Sequence, residues 1–300
     1  MVFLLIVTAG ITFTQFYKSM SSNSYLPYKG DNKISNIGSA SLKWLGIILV
    51  AMVWISAGLF GLYILAFYFS PIYAGNMQQW NNGLPGLYVK GSVANSGIGI
   101  HFAAGGLILI LGSIQLMNCV RRNYLTLHRW IGRVYIVCCL IAALGGLIFI
   151  GVNGTIGGRF MNIGFSLYGV LMLISAIQTY RYAVNGNIAT HRAWGLRLYA
   201  LAIGSWLYRI DYGFWIMLTN GAGHNDSFSG WFDHIMPFFF YLPNLLVAQV
   251  FISGRKNKLR PLITIISAFG LLIIIGFLLI GTYYFARYYW GPAIIKWLFV

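Results

Sequence analysis

Two His-Arg pairs stand 63 residues apart in otherwise apolar surroundings, His128-Arg129 and His191-Arg192. Each histidine is followed four residues later by a glycine, Gly132 and Gly195. A neutral imidazole is a suitable axial ligand for haem iron, and two of them on facing helices hold one porphyrin inside a bundle. The glycines leave room for a flat ring, and Arg129 and Arg192 are placed to pair with propionates. His101, with Gly105 four residues on, and His234 form a candidate second haem site. Two such sites would make an electron path across a membrane. The same residues also admit a plainer role. A His-Arg pair at a helix start suits headgroup contact and snorkelling, and a glycine one turn away is ordinary helix packing. The residue types alone leave these two readings open.

A second polar group gathers at the other ends of the apolar runs: His101, Arg209, Asp211, Asp233 and His234, with Arg159, His224 and Asp226 in adjoining loops. Arg209 and Asp211 are two residues apart, so on a helix they point to different faces. Each is expected to pair elsewhere, Arg209 with Asp233 and Asp211 with Arg159, in a structural ion-pair network. The chemical alternative is a divalent-metal site of His101, His224, His234 and Asp233. Zinc held by three histidines activates a bound water for hydrolysis, although no HExxH-type spacing supports it. Tyr208, Tyr212 and Trp215 share a helix face here and read as membrane-interface markers.

These residues need elements to hold them, and the composition says which. The chain has 300 residues, 59% of them apolar and 8% charged, against roughly 25% charged in soluble domains. Such a chain cannot cover a surface facing water, so lipid is its solvent. Seven apolar runs approach the ~20 residues that a helix needs to cross a bilayer. They lie at 44–69, 98–119, 130–151, 162–182, 193–219, 235–253 and 262–288. An eighth, shorter run, Val2 to Phe16, is read either as a short extra span or as an interfacial segment. With no basic residue ahead of it, it is a poor signal peptide. The expected organisation is therefore an all-α polytopic bundle: an N-terminal segment and basic linker over 1–43, one bundle over 44–288, and an external tail over 289–300. Cys119, Cys138 and Cys139 have no CxxC spacing, which argues against both a disulfide framework and a cysteine zinc site.

Within the bundle, 101–132 is repeated at 164–195. Phe102, Gly106, Ile114, Gln115, His128, Arg129 and Gly132 recur as Phe165, Gly169, Ile177, Gln178, His191, Arg192 and Gly195. The repeat predicts a duplicated helical hairpin and a four-helix core, with the two units related by an axis along the membrane normal. Stripes of small and polar residues run from each histidine, such as Gly132, Tyr135, Cys139 and Ala142 from His128. They are expected to face the interior.

Four stretches resemble a known family: Trp54 to Tyr68 (WISAGLFGLYILAFY), Leu127 to Tyr135 (LHRWIGRVY), Ile203 to Trp215 (IGSWLYRIDYGFW) and Phe238 to Leu245 (FFFYLPNL). They are similar to the membrane family catalogued as domain of unknown function 2306, over roughly residues 44 to 250. The resemblance implies a bacterial-type multi-pass membrane protein. It carries no established activity and assigns no functional residue.

The functional expectation is a membrane redox protein binding b-type haem, with a quinone or a partner protein as electron donor. A structural or accessory membrane subunit without cofactor and a metal-dependent membrane hydrolase are the alternatives. The net charge of +16 would suggest nucleic acid in a soluble protein; here membrane topology explains it. Fifteen of the twenty basic residues fall on one side of the seven spans. Only Lys90, Arg159, Arg209, Arg287 and Lys296 fall on the other. The positive-inside bias puts the fifteen in the cytoplasm and the C-terminus outside the cytoplasmic membrane. In intact cells, an impermeant thiol reagent is therefore expected to label a cysteine introduced at Asn225 and to spare one introduced at Asn257. The reverse pattern would overturn the orientation.

Overall fold

The computed structural model describes residues 33–82, 85–253 and 261–299. They are helical throughout apart from short connections, with no strand among them. The expected spans begin with α1 (Lys33–Ile64), which continues through a π turn (Leu65–Phe69) to Tyr73. Then come α2 (Ala94–Leu116), α3 (Leu125–Asn153) and α4 (Gly158–Val184). They are followed by α5 (Ile188–Ala202), α6 (Gly204–Thr219), α7 (Trp231–Phe239) and α8 (Leu242–Ser253). The chain ends with α9 (Pro261–Phe285), a second π turn (Ala286–Trp290) and α10 (Gly291–Phe299). By their contacts the residues group into two compact units. One takes the described parts of 1–56 and 243–282, the other those of 57–242 and 283–300.

Local chemistry sets the helix limits. α3 runs 29 residues without a proline, about 44 Å at helical rise and ample for a ~30 Å hydrocarbon core. It stops at Gly154, whose φ of +73° is conformational territory that glycine enters without a Cβ clash. The short connection to α4 is held by Asn162 Oδ1, which accepts from Thr155 N at 2.7 Å and Thr155 Oγ1 at 2.6 Å. α5 starts at Asn187, whose side chain accepts from Thr190 N at 3.2 Å. This is the usual N-cap bond that satisfies an otherwise orphaned amide.

In the larger unit α2 packs on α3, α3 on α4, α4 on α5, and α5 back on α2, while α7 lies against α4. Glycines make the close crossings. Gly97 and Gly145 meet backbone to backbone where α2 crosses α3, and Gly61 and Gly106 do so where α1 crosses α2. Tyr135, Cys139 and Ala142 of the His128 stripe are buried, as are Leu198 and Ala202 of the His191 stripe. Outward-facing Leu144, Ile148, Ile163 and Ile174 are 43–53% exposed. A soluble protein would not display such a belt, and lipid accounts for it. In the smaller unit the Thr282 hydroxyl donates to Ser56 Oγ at 2.8 Å in a buried contact.

Five helices among the described residues are long and apolar enough to cross a membrane: Trp44–Tyr73, Ala94–Leu116, Leu125–Asn153, Gly158–Val184 and Ala268–Phe299. The expected runs 193–219 and 235–253 are instead interrupted helices, the first at Ile203 and the second at Phe240 and Tyr241. The two interruptions touch. A Cβ on Gly204 would lie 3.1 Å from the Phe240 ring, so the glycine that weakens one helix receives the aromatic from the other. Pro237 inside α7 and Pro243 at the start of α8 remove amide donors there. The last apolar run continues to Phe299, so most of the expected tail over 289–300 is helical. The Val2–Phe16 run and the basic residues Arg255, Lys256, Lys258 and Arg260 lie outside the described residues.

The crossing glycines make a direct test. A methyl at Gly145 would strike the Gly97 carbonyl oxygen and approach His101 N at 3.3 Å, whereas Gly151 on the same helix has nothing within 4 Å. Gly145→Ala is expected to destabilise the detergent-purified protein by about 1–3 kcal/mol, read as a lowered melting temperature. Gly151→Ala is expected to be neutral or slightly stabilising, as alanine is the better helix former. Equal melting points for the two variants would show that this crossing is not a tight contact.

Candidate functional site

The two His-Arg pairs have the same local setting. Tyr124 caps α3 and Asn187 caps α5, so His128 and His191 are each the fourth residue beyond a cap. Their amides reach back to the cap carbonyls at 3.0 Å and 2.9 Å. The two imidazoles lie close enough to interact electrostatically. His191 Nδ1 lies 2.9 Å from the Thr179 carbonyl oxygen on α4. A carbonyl only accepts, so Nδ1 is the donor in this contact. That is the arrangement found behind metal-ligating histidines. His128 Nδ1 is buried with no hydrogen-bond partner among the described residues, and so are Ser113 Oγ and Gln178 Oε1. All three belong to this end of the helices. Buried polar atoms are nearly always satisfied, and these three have no protein partner among the described residues.

Of the two glycines one turn beyond the histidines, Gly195 is open and Gly132 is closely covered. A Cβ on Gly195 would meet only the Thr179 methyl at 3.8 Å, and one on Gly132 would meet Gln115 Oε1 at 3.2 Å. Gln115 Nε2 donates to the His128 carbonyl at 3.2 Å. Arg129 is exposed and Arg192 half-buried. One turn further along each helix an arginine covers a tryptophan, Arg133 over Trp130 at 5.3 Å and Arg197 over Trp194 at 4.7 Å. Such cation–π pairs are at home where a helix leaves lipid.

At the opposite end the expected residues do not converge on one point. His101 Nδ1 donates to the Ala142 carbonyl at 2.6 Å, and its ring sits against Gly146, where a Cβ would lie 3.0 Å away. His234 stacks on Phe160 with centroids 4.4 Å apart. Arg159 and Asp226 are exposed. Within 4 Å, the ion pair among the described residues is His224–Asp233 at 2.7 Å. Asp233 therefore pairs with His224 rather than Arg209, and neither Asp211–Arg159 nor Arg209–Asp233 is formed. Arg209 bonds the Tyr68 hydroxyl and lies over the Tyr208 ring at 5.4 Å. No three His, Cys, Asp or Glu side chains come together among the described residues. The set His101, His224, His234 and Asp233 is thus not assembled as a metal site.

Asp233 is the centre of what does assemble. It is fully buried. Its Oδ1 accepts from Tyr212 Oη at 2.8 Å and His224 Nδ1 at 2.7 Å. Its Oδ2 accepts from Gly230 N at 3.0 Å and Asn225 N at 3.3 Å. Four donors meet the roughly four acceptor positions of a carboxylate. Tyr212, read from its spacing as an interface marker, is thus a ligand of the buried acid, and Tyr208 is hydrogen-bonded to it in turn. The signal for part of this was in the sequence. Asp233 stands three residues after Gly230, at the N3 position where an acid reaches back to the cap amide. Nothing local announced the Tyr212 or His224 partners.

A family model described as a predicted membrane protein family, DUF2306, matches residues 98–252, more than half of the chain. It takes in most of α2 and all of α3 to α7, and with them the unpartnered Ser113, His128 and Gln178 atoms and the Asp233 cluster. Comparison with the curated proteins and with the solved structures finds no match.

Removing the Asp233 charge leaves four donors facing an amide that can accept at only one end. Asp233→Asn is expected to cost about 3 kcal/mol, read as a lower melting temperature and folded yield. Asp226→Asn, on the exposed loop, serves as the unaffected comparison. An Asp233→Asn protein as stable as its parent would mean that the cluster contributes nothing to the fold.

Proposed function

The chain belongs to the DUF2306 family of predicted membrane proteins, and from that premise we propose that it is a membrane redox protein holding b-type haem at the inner His-Arg pairs. The observation that carries this reading is His191, its Nδ1 tied to the Thr179 carbonyl, with His128 within electrostatic reach. The unpartnered Ser113, His128 and Gln178 atoms and the open space at Gly195 fit a bulky, partly polar guest. His128 and His191 would hold the iron, and Arg129 and Arg192 would face the propionates. Haem bound there would supply reversible one-electron storage. The Thr179 carbonyl orients the His191 ring and strengthens it as a donor, while Tyr135 and Cys139, both buried, shield the apolar side from water.

In this reading α2 to α5 act as a four-helix bundle built from a duplicated hairpin, and a quinone or a partner protein delivers the electron. His101 and His234 are not needed, because their rings engage Ala142 and Phe160. The second reading is an accessory membrane subunit without a cofactor. The Arg133–Trp130 and Arg197–Trp194 pairs favour it, since they place the histidines near the headgroup level, where phosphate contact is an ordinary role.

The absorption spectrum separates the two. Protein purified from haem-replete cells is expected to show haem bands that change on reduction. His128→Ala and His191→Ala should each remove or shift these bands while the protein still folds. A folded, colourless protein that gains no absorbance on haem titration would sink the redox reading and leave the accessory one.

A further inference from the structure

Far from the histidine pairs, the larger unit contains a cavity of about 400 Å³, within the size range of small-ligand sites. Its walls are Phe60, Tyr63, Phe285, Tyr289 and Trp290, with Arg209 as the charged residue on its lining. Both π turns serve it. The Leu65–Phe69 turn carries Tyr68, which bonds Arg209, and the Ala286–Trp290 turn supplies Tyr289 and Trp290. π turns inside α-helices frequently occur at functional sites.

Arg209 is ten residues before the end of α6 at Thr219, about 15 Å inside that end. A guanidinium has five N–H donors and keeps its charge. It meets the Tyr68 hydroxyl and the Tyr208 ring, and among the described residues no carboxylate lies within 4 Å of it. A cation on an aromatic lining is costly unless an anion meets it. Three tyrosine hydroxyls on the lining are already engaged. The Tyr212 hydroxyl donates to Asp233, and the Tyr284 and Tyr289 hydroxyls bond each other. Aromatic walls with one unneutralised arginine match a molecule with an anionic oxygen at one end and an apolar body.

We propose that this cavity binds the anionic headgroup of a membrane amphiphile, a carboxylate or phosphate oxygen on Arg209 with the chain along the aromatic wall. The site is independent of the haem reading.

The test uses the full chain in a sugar-headed non-ionic detergent, with thermal stabilisation as the readout. Oleate and lysophosphatidylglycerol are titrated beside neutral oleyl alcohol and a neutral long-chain quinone. At least one anionic amphiphile is expected to raise the melting temperature with saturation, and the neutral pair is not. The stronger of the two anions tells whether a carboxylate or a phosphate is preferred. Arg209→Gln is expected to weaken the anion effect about tenfold or more, the scale of a lost hydrogen bond to a charged group. Should Arg209→Gln fold poorly, Ile216→Trp, which fills the cavity and keeps the arginine, is expected to abolish the same effect. Equal stabilisation by oleyl alcohol or the quinone, no effect of either anion, or an unchanged response in both variants would overturn the proposal.

Discussion

A carboxylate sealed away from water must have every lone pair answered, and the end of the larger unit around α7 is arranged around that demand. Asp233 accepts from a tyrosine on α6, a histidine and an amide of the 220–230 loop, and the cap amide of its own helix. Helix α6, the loop after it and the start of α7 are thereby held to one point. A buried carboxylate that loses its partners keeps an unpaired charge, so the loop cannot drift without leaving Asp233 unsatisfied. The ring stacking of Trp215 on Phe232 at 4.6 Å closes over the same point and keeps it dry.

The helices beneath follow another rule, because lipid offers no hydrophobic drive for them to associate. Contact comes from surface fit, and glycine supplies it: at Gly97 with Gly145, at Gly61 with Gly106, and at Gly204 under Phe240. The last of these has a second effect. It lets α5–α6 and α7–α8 be interrupted where they meet, which turns Arg209 and Tyr212 toward the cavity and Asp233. The polar residues of the chain thus fall into separate zones, one around His128 and His191 and one around Arg209 and Asp233, and neither borrows a residue from the other.

Much of the fold was legible in the residues. The shortage of charge names lipid as the solvent, the apolar runs name the helices, and the matched His-Arg starts at residues 128 and 191 foretell two helices capped at the same offset. The candidate site was legible only in part. His128 and His191 were singled out from the repeat, and they lie within electrostatic reach of each other. The outer residues were recognised as a group but assigned the wrong partners, because opposite charge was used as the guide. Asp233 instead took a histidine, a tyrosine and two amides, all of them near it in space.

By itself the sequence determined what is additive or local: the solvent, the helical state, the ends at Gly154 and Asn187, and the capping bond from Asp233 to Gly230. Only the tertiary structure decided what depends on rotation about a helix axis and on distance between helices. It bonded Arg209 to Tyr68, 141 positions earlier in the chain, seated His101 against Gly146, and interrupted a helix at Ile203 where no proline stands. The physical reason is that a residue's helical state is set mainly by its near neighbours. Its hydrogen-bond partner is set by which side chain of another helix occupies the few ångströms in front of it, and no spacing along one strand of residues contains that distance.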